Sequence, residues 1–205
     1  MSDYIVYVQL RMICALYSKY GPEQTMAEKF DVLSDELATW IRAQHIFFVA
    51  TAATDGHINL SPKGQDSLKV LSPKELLWLN LTGSGNETAA HLRDANRLTL
   101  MWCAFDRTPR ILRIYGQAET VHPRDKGWEA CVAHIPPPLG ARQYFKVQID
   151  LVQTSCGYAV PFMDFKEDRR ALTLWSEKHG QSGIEDYWQN ENLFSLDGHP
   201  TGINS

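Results

Sequence analysis

The stretch LNLTGSGNETAAHL, residues Leu79 to Leu92, decides the fold, because a short apolar run leads through a glycine-rich turn into residues that favour a helix. Gly83 and Gly85 permit backbone angles that other residues resist. Ser84 or Asn86 is placed to accept a hydrogen bond from the first free amides of that helix. Those amides and the helix dipole favour an anion, usually a phosphate. The alternative is a capped helix without a ligand, and such helices outnumber phosphate sites.

Composition and charge narrow the function classes. A length of 205 residues fits one compact domain with terminal additions. The net charge of −4 and the lack of a Lys/Arg cluster argue against a nucleic-acid partner. No apolar run is long enough to cross a bilayer, so we expect no membrane partner. The four cysteines lack metal-binding spacing, so we expect no metal, free thiols and a cytoplasmic location: Cys14, Cys103, Cys131 and Cys156.

We expect three segments along the chain. Residues 1–25 are interpreted as an N-terminal extension, since Met26 begins MAEKFDVLSDEL, which looks like an ordinary cytoplasmic start. Residues 26–161 form the main domain. Residues 162–205 form a C-terminal helical segment and tail, in which RRALTLWSEKHG and GIEDYWQNENLF have the pattern of two amphipathic helices.

The main domain is predicted to be mainly β. It begins with a short predicted helix that Ser34 caps and that places Leu37, Trp40 and Ile41 on one face. After this helix the hydrophobic period changes to that of strands. We predict about six strands, with short helices between them, and no regular βαβ alternation, which favours an antiparallel barrel. The strand segments are HIFFVATAA, HINLSPKGQDSLKVL, LLWLNLT, RLTLMWCAF, RILRIYGQAETV and RQYFKVQIDLVQTSCGYAV. In the last of them Phe145, Val147, Ile149 and Leu151 form the predicted buried face.

Two cations lie within these strands. Lys63 follows Pro62, which removes a hydrogen-bond donor and predicts an edge strand or a bulge. A lysine beside a glycine-rich helix start supplies the counter-charge for a phosphate, although a solvated strand lysine is an alternative. Arg113 alternates with apolar neighbours, so it either pairs inside the fold or faces a ligand or a subunit interface.

Catalytic residues are not assigned by the sequence. Four of the seven histidines, His45, His57, His91 and His134, are scattered and have no carboxylate at a recognisable triad or metal spacing. Cys156 is interpreted as a buried thiol at a strand end, with a reactive thiol as the alternative.

The chain resembles the pyridoxamine 5′-phosphate oxidase-like family of flavin-binding split β-barrels, and most closely a bacterial branch of it. Five motifs in the same order carry the resemblance, which spans roughly Asp31 to Pro161: FFVATA, NLSPKG, TGSGNETAAHL, RIYG and TSCGY. The resemblance implies a six-stranded split barrel and a homodimer whose two FMN sites lie at the subunit interface.

The resemblance also implies the cofactor-binding residues. Thr82 matches the family's threonine in the turn, Lys63 lies on the strand that carries basic phosphate ligands, and Arg113 matches an arginine of the fifth strand. Residues near Gln153 to Gly157 are expected to reach the flavin of the partner subunit. The complete predicted set is Ser61, Lys63, Gly64, Thr82, Gly83, Ser84, Asn86, Thr88, Arg113 and Ser155.

Departures from the family pattern bear on the substrate. Glu87 and Thr88 stand where the oxidase proper has an Arg-Lys pair, and Ile111 stands at the position of its flavin-contacting glutamine. The C-terminal Arg-Leu-His signature is absent. We therefore expect an FMN-dependent oxidoreductase that acts on a small molecule other than pyridoxamine 5′-phosphate. A non-catalytic FMN carrier or sensor is the second hypothesis, and binding of haem or a deazaflavin in the same groove is the third.

Overall fold

The computed structural model describes residues 27–204, so the predicted extension over residues 1–25 lies outside the described part of the chain. The strands are β1 (Ala27–Phe30), β2 (Phe47–Thr51), β3 (Asn59–Lys63), β4 (Leu68–Ser72), β5 (Glu75–Leu81), β6 (Leu98–Cys103), β7 (Ile111–Val121) and β8 (Ala141–Ser155). The helices are α1 (Asp35–Arg42), α2 (Glu87–Asp94), α3 (Trp128–Val132) and α4 (Ala171–Glu191).

The strands form one antiparallel sheet in the order β3-β2-β6-β7-β8-β5-β4, and β1 pairs with the end of β8. β3 and β4 follow each other in the chain and lie at opposite edges of the sheet, unpaired with one another. The predicted split antiparallel barrel is therefore confirmed, and its open seam runs between β3 and β4. Pro62 lies on the edge strand β3, as its missing donor predicts.

The strand count was wrong, because eight strands are present in residues 27–204 instead of six. The predicted strand HINLSPKGQDSLKVL is divided into β3 and β4. Between them Gln65 and Asp66 have φ angles of +59° and +50°, in the left-handed region that interrupts a strand. β1, which pairs with β8, is the other strand that the sequence did not predict.

The core is rich in aromatic side chains. Phe47, Trp78, Trp102 and Phe145 are all buried, and the rings of Trp78 and Phe145 are stacked with centroids 4.6 Å apart. β5 is buried on both faces, because Leu76 and Trp78 face this core while Leu77 and Leu79 pack in a second cluster with Cys131 of α3. This double burial places the end of β5, and the turn that follows it, in a rigid part of the molecule.

The alternation of β8 changes at one position. Phe145, Val147 and Ile149 are buried as predicted, but Leu151 is half-buried and Val152 takes its place in the core. The register shifts here, because Gly116 pairs with Ile149 and Tyr115 with Leu151, which leaves one extra residue in β8. A single inserted residue moves the following side chains to the opposite face of the sheet.

The helices follow the predicted patterns. Ser34 caps α1, since its side-chain oxygen accepts a hydrogen bond from the Leu37 amide at 3.2 Å. The C-terminal segment forms two helical parts within α4, which are separated at Gly180 with φ +65° and ψ 179°. No helix in residues 27–204 is long and apolar enough to span a membrane.

Candidate functional site

A groove of about 1410 Å³ lies beside the open seam of the barrel. One wall is formed by β3 and the residues up to Gln65, and the floor by the end of β5, the 82–86 turn and the start of α2. The other wall comes from the segment 163–169 and from residues 191–196 at the end of α4. The C-terminal segment is therefore part of the groove wall.

Most of the predicted site residues meet in this groove. Eight of them line it: Ser61, Lys63, Gly64, Thr82, Gly83, Ser84, Asn86 and Thr88. Their spatial convergence follows from the sheet, since β3 and the end of β5 lie on either side of the seam. Arg113 and Ser155 are not groove residues of this chain.

The turn before α2 differs from its predicted geometry. Neither Gly83 nor Gly85 has a positive φ angle, so the left-handed backbone expected for them is absent. Asn86 occupies the N-cap position, but its side chain does not cap the helix. Its Oδ1 atom instead accepts hydrogen bonds from Gln143 Nε2 at 2.7 Å and from Asn80 Nδ2 at 3.3 Å. The expected cap by Ser84 or Asn86 is thus replaced by a buried amide network.

The missing cap leaves the start of α2 open. The amides of residues 83–88 donate no hydrogen bond to any other described residue. A side chain at Gly83 would meet nothing closer than 3.9 Å, so the backbone is accessible there. Free amides at the positive end of a helix are suited to bind an anion.

Lys63 brings one positive charge to the groove. Its ammonium group lies 5.4 Å from the centre of the Trp78 ring, and it forms no salt bridge with any of residues 27–204. Burial, reinforced by the nearby Arg142 guanidinium, lowers the pKa of Lys63 to about 8. A cation held next to a second cation without a carboxylate favours binding of an anion.

Arg142, at the start of β8, brings the second charge and was not predicted. Only 3% of the residue is exposed, and its Nη1 atom donates to the Gly85 carbonyl at 2.9 Å and to Asn192 Oδ1 at 2.7 Å. Its Nε atom has no hydrogen-bond partner among the described residues. Burial lowers the pKa of Arg142 to about 10. The sequence signal that could have found this polar site is the adjacent Gln143, an amide in phase with the apolar Phe145 and Val147 of β8. In the structure Gln143 is fully buried.

The hydroxyl groups of the predicted threonines already have partners. Thr82 Oγ1 donates to the Gly140 carbonyl at 2.7 Å and accepts from Trp188 Nε1 at 2.9 Å. Thr88 Oγ1 accepts from Asn59 Nδ2 at 3.3 Å. The Thr82 hydroxyl therefore has both an acceptor and a donor partner and shapes the turn. Among residues 27–204 the Thr88 hydroxyl only accepts, so its hydrogen joins the amides, Lys63 and Arg142 as a free donor of the groove.

Arg113 and Ser155 lie together elsewhere on the sheet. Arg113 Nη1 donates to Ser155 Oγ at 3.2 Å, across the pairing of β7 with β8. Arg113 forms no salt bridge with any of residues 27–204, and its guanidinium donates to a neutral hydroxyl in place of a carboxylate. Their assignment to a cofactor site on a partner subunit stays a prediction.

A histidine and a carboxylate meet at the rim of the groove. His57 Nδ1 lies 2.6 Å from Asp197 Oδ1, and the His57 amide donates to Asp197 Oδ2 at 2.7 Å. The two residues are 140 positions apart, so no local spacing could reveal the pair. The hydrogen bond with Asp197 raises the pKa of His57. Among residues 27–204, no group of three or more His, Cys, Asp or Glu side chains is arranged to hold a metal ion.

The fold and the groove define a split-barrel protein with a cleft that contains two cations and the open start of a helix. The family model described as pyridoxamine 5′-phosphate oxidase matches residues 33–156. The Aspergillus flavus pyridoxamine 5′-phosphate oxidase family protein ustO is 37% identical over 194 residues, which cover 86% of this chain and 78% of the relative. The chain belongs to the pyridoxamine 5′-phosphate oxidase family. Since this relative is fungal, the bacterial branch stays a prediction.

Two solved structures are similar to this chain. A Lactobacillus delbrueckii protein, described as a candidate pyridoxamine 5′-phosphate oxidase, aligns with a TM-score of 0.50 and 20% identity over 62% of this chain and 98% of its own. An FMN-binding protein from Syntrophomonas wolfei aligns with a TM-score of 0.43 and 13% identity over 75% of this chain and 96% of its own. At 20% identity, the likeness to the Lactobacillus delbrueckii protein concerns the fold alone.

Proposed function

We propose that this protein is a flavoprotein that binds FMN with the phosphate at the start of α2. The observation that carries the proposal is the convergence of two cations that form no salt bridge with residues 27–204, Lys63 and Arg142, on the free amides of residues 83–88. A dianionic phosphate satisfies both kinds of group at once. Membership of the pyridoxamine 5′-phosphate oxidase family supports a phosphorylated flavin as the ligand.

The residues present fit this cofactor. The Arg142 Nε–H, which is buried and without a partner, supplies a donor that a phosphate oxygen can accept. Lys63 supplies a compact charge on the opposite side, and Gly83 leaves the backbone open to close approach. The groove volume of about 1410 Å³ exceeds the roughly 300–1,000 Å³ of ordinary small-molecule pockets, so it has room for a second small molecule.

We further propose that the protein is an oxidoreductase acting on a small molecule. Bound FMN would supply hydride or electron transfer, and the protein would bind, orient and shield it. The segment 163–169 brings Met163 and Phe165 to the groove wall, where apolar side chains exclude water. Glu87 at the helix start, where the oxidase proper has an arginine, supports a substrate other than pyridoxamine 5′-phosphate.

We propose a homodimer with the groove at the subunit interface. Ile58 and Leu60 support it, because these apolar side chains at the groove are 77% and 65% exposed and a partner would cover them. In this arrangement Arg113 and Ser155 would contribute to the site of the partner subunit. A cytoplasmic location is supported by the free thiols Cys103, Cys131 and Cys156.

An absorbance spectrum of the purified protein tests the proposal. Flavin bands that survive gel filtration, and are bleached by a reduced nicotinamide, are the expected result. Colourless protein that takes up no added FMN would rule out the flavoprotein. Bound FMN without turnover of any reductant or acceptor would identify the protein as a carrier or sensor. A Soret band would indicate bound haem, and a deazaflavin spectrum would indicate a bound deazaflavin.

A further inference from the structure

The end of α4 reaches back across the chain to the proposed phosphate site. Asn192 is fully buried, although its contacts in the barrel lie 50 and 109 residues earlier in the chain. Its Oδ1 atom accepts from Arg142 Nη1 at 2.7 Å, and its Nδ2 atom donates to the Gly83 carbonyl at 3.1 Å. One amide side chain therefore joins the guanidinium to the turn that carries the free amides.

The backbone of Asn192 is held as firmly as its side chain. Its N–H donates to the Trp188 carbonyl at 3.0 Å, and its carbonyl accepts from Thr201 Oγ1 at 2.6 Å. Two neighbouring contacts of the segment reach the same part of the barrel. Trp188 Nε1 donates to Thr82 Oγ1, and the Leu196 amide donates to the Glu87 carboxylate at 3.1 Å. The segment from Trp188 to Leu196 thus holds Thr82 and Glu87, the residues at the two ends of the turn before α2.

The chemical identity of Asn192 matters for the charge of the site. An amide orients Arg142 through a hydrogen bond and leaves its positive charge uncompensated. A carboxylate at the same place would pair with the guanidinium and remove its attraction for an external anion. Arg142 also keeps its Nε–H without a partner, so the guanidinium is oriented but not saturated.

We infer that Asn192 is a positioning residue that holds Arg142 beside the free amides of residues 83–88. Through Arg142 it sets the preference of the groove for phosphorylated over unphosphorylated flavin. This inference rests on the proposed function. It also assigns a role to the C-terminal segment, which lies outside the residues 33–156 that the family model matches. The anion site is accordingly built from the barrel and from the last helix together.

The test compares FMN with riboflavin, which lacks the phosphate, in wild type and in Asn192→Asp. Dissociation constants are measured by quenching of flavin fluorescence. In Asn192→Asp we expect FMN affinity to fall roughly ten- to hundredfold, as for a lost charge-assisted bond, with riboflavin affinity within about threefold. The matched control is Asn190→Asp, since Asn190 is exposed on the same helix and donates only to the Asp186 carbonyl. That control should leave both affinities unchanged.

The outcomes separate the inference from the proposed function. Wild-type protein that binds neither flavin contradicts the proposed function, and the inference is then decided by thermal stabilisation with inorganic phosphate, expected in wild type and lost in Asn192→Asp. Equal losses of both flavins, or an unchanged ratio, would overturn the positioning role. If Asn192→Asp does not fold, Asn192→Ser, which removes the bridge without adding charge, is expected to shift the ratio in the same direction by a smaller factor.

Discussion

Arg142 and Arg113 lie on neighbouring strands of one sheet, yet they differ in what surrounds them. Arg142 is buried beside Lys63, keeps one N–H without a partner and faces the groove. Arg113 is half-buried, donates to the Ser155 hydroxyl and lies outside the groove. The contrast teaches that the proposed anion site depends on two cations that lie together without a salt bridge to residues 27–204, and that a charged residue in an apolar strand is insufficient to define such a site.

The strongest test of this contrast is Arg142→Met. Removing a buried charge from the proposed phosphate site should weaken FMN binding by about 2–3 kcal/mol, because a charge-assisted hydrogen bond is lost without solvent to replace it. Titration of flavin fluorescence measures the loss. Arg110→Met is the control, since Arg110 pairs with Glu36 at 2.9 Å outside the groove. An FMN affinity equal to that of wild type would remove Arg142 from the site.

Lys63→Ala is expected to have the next largest effect. FMN affinity should fall by on the order of 1–3 kcal/mol, because the variant loses the second cation of the site. Lys69→Ala on the adjacent β4 is a matched control, since its ammonium group donates to the His134 carbonyl. Isothermal titration of both variants provides the comparison. Equal losses in the two variants would indicate a nonspecific effect of charge.

The pKa of Lys63 predicts how FMN binding depends on pH. Because burial lowers this pKa to about 8, the ammonium form that attracts phosphate is present below pH 8 and is lost as the pH rises through that value. The phosphate itself is dianionic above about pH 6. Between pH 7 and 9 we expect up to about a tenfold loss of affinity in wild type. The same titration of Lys63→Ala should be flat, and a parallel loss there would refute the assignment to Lys63.

Arg113→Met tests the proposed dimer with a smaller expected effect. If Arg113 contributes to the site of the partner subunit, its removal should cost about 1 kcal/mol of FMN affinity, since the group is half-buried. Analytical ultracentrifugation establishes the concentrations at which the protein is dimeric, and FMN titrations are made above and below them. A loss confined to the dimer would support the proposal. An equal loss in monomer and dimer would contradict it.

The smallest expected effect concerns the rim of the groove. The hydrogen bond with Asp197 raises the pKa of His57, and hydrogen bonds from His57 lower the pKa of Asp197. The stabilisation that protonated His57 gives to this contact is fully present below its ordinary pKa and is lost as the pH rises through the raised value. The stabilisation that ionised Asp197 gives to this contact is fully present above its ordinary pKa and is lost as the pH falls through the lowered value.

Hydrogen exchange of the amides near Leu196 measures this contact. We expect slower exchange at pH 5.5 than at pH 8.5, after correction for the intrinsic rates. Asp197→Asn should remove the difference while FMN affinity at pH 7 stays close to that of wild type. A pH dependence that persists in Asp197→Asn would show that another titratable group sets the exchange rates of the amides near Leu196.

Local patterns in the sequence predicted the groove floor and one wall. Pro62 predicted an edge strand, Lys63 was assigned as the counter-charge of a glycine-rich helix start, and the 82–88 turn was assigned from its glycines. The reason offered for those glycines was wrong, because their φ angles are negative and the start of α2 is open through a missing side-chain cap. Local pattern therefore located the turn without giving its hydrogen bonds.

The remaining parts of the site depend on long-range contacts. Arg142 and Gly85 are 57 positions apart, Arg142 and Asn192 are 50, and His57 and Asp197 are 140. No local spacing relates such residues, since their neighbourhood arises only when the sheet closes and α4 packs against it. The register change between Ile149 and Leu151 is likewise a property of the pairing of β7 with β8.

By itself the sequence determined the antiparallel strands, the edge position of β3 and the glycine turn before α2, because these follow from side-chain period and backbone chemistry within a few residues. Only the tertiary structure decided which cations share the groove and that the C-terminal segment completes its wall. The physical reason is that charge compensation and burial are set by neighbours in space, and those neighbours come from segments that are far apart along the chain.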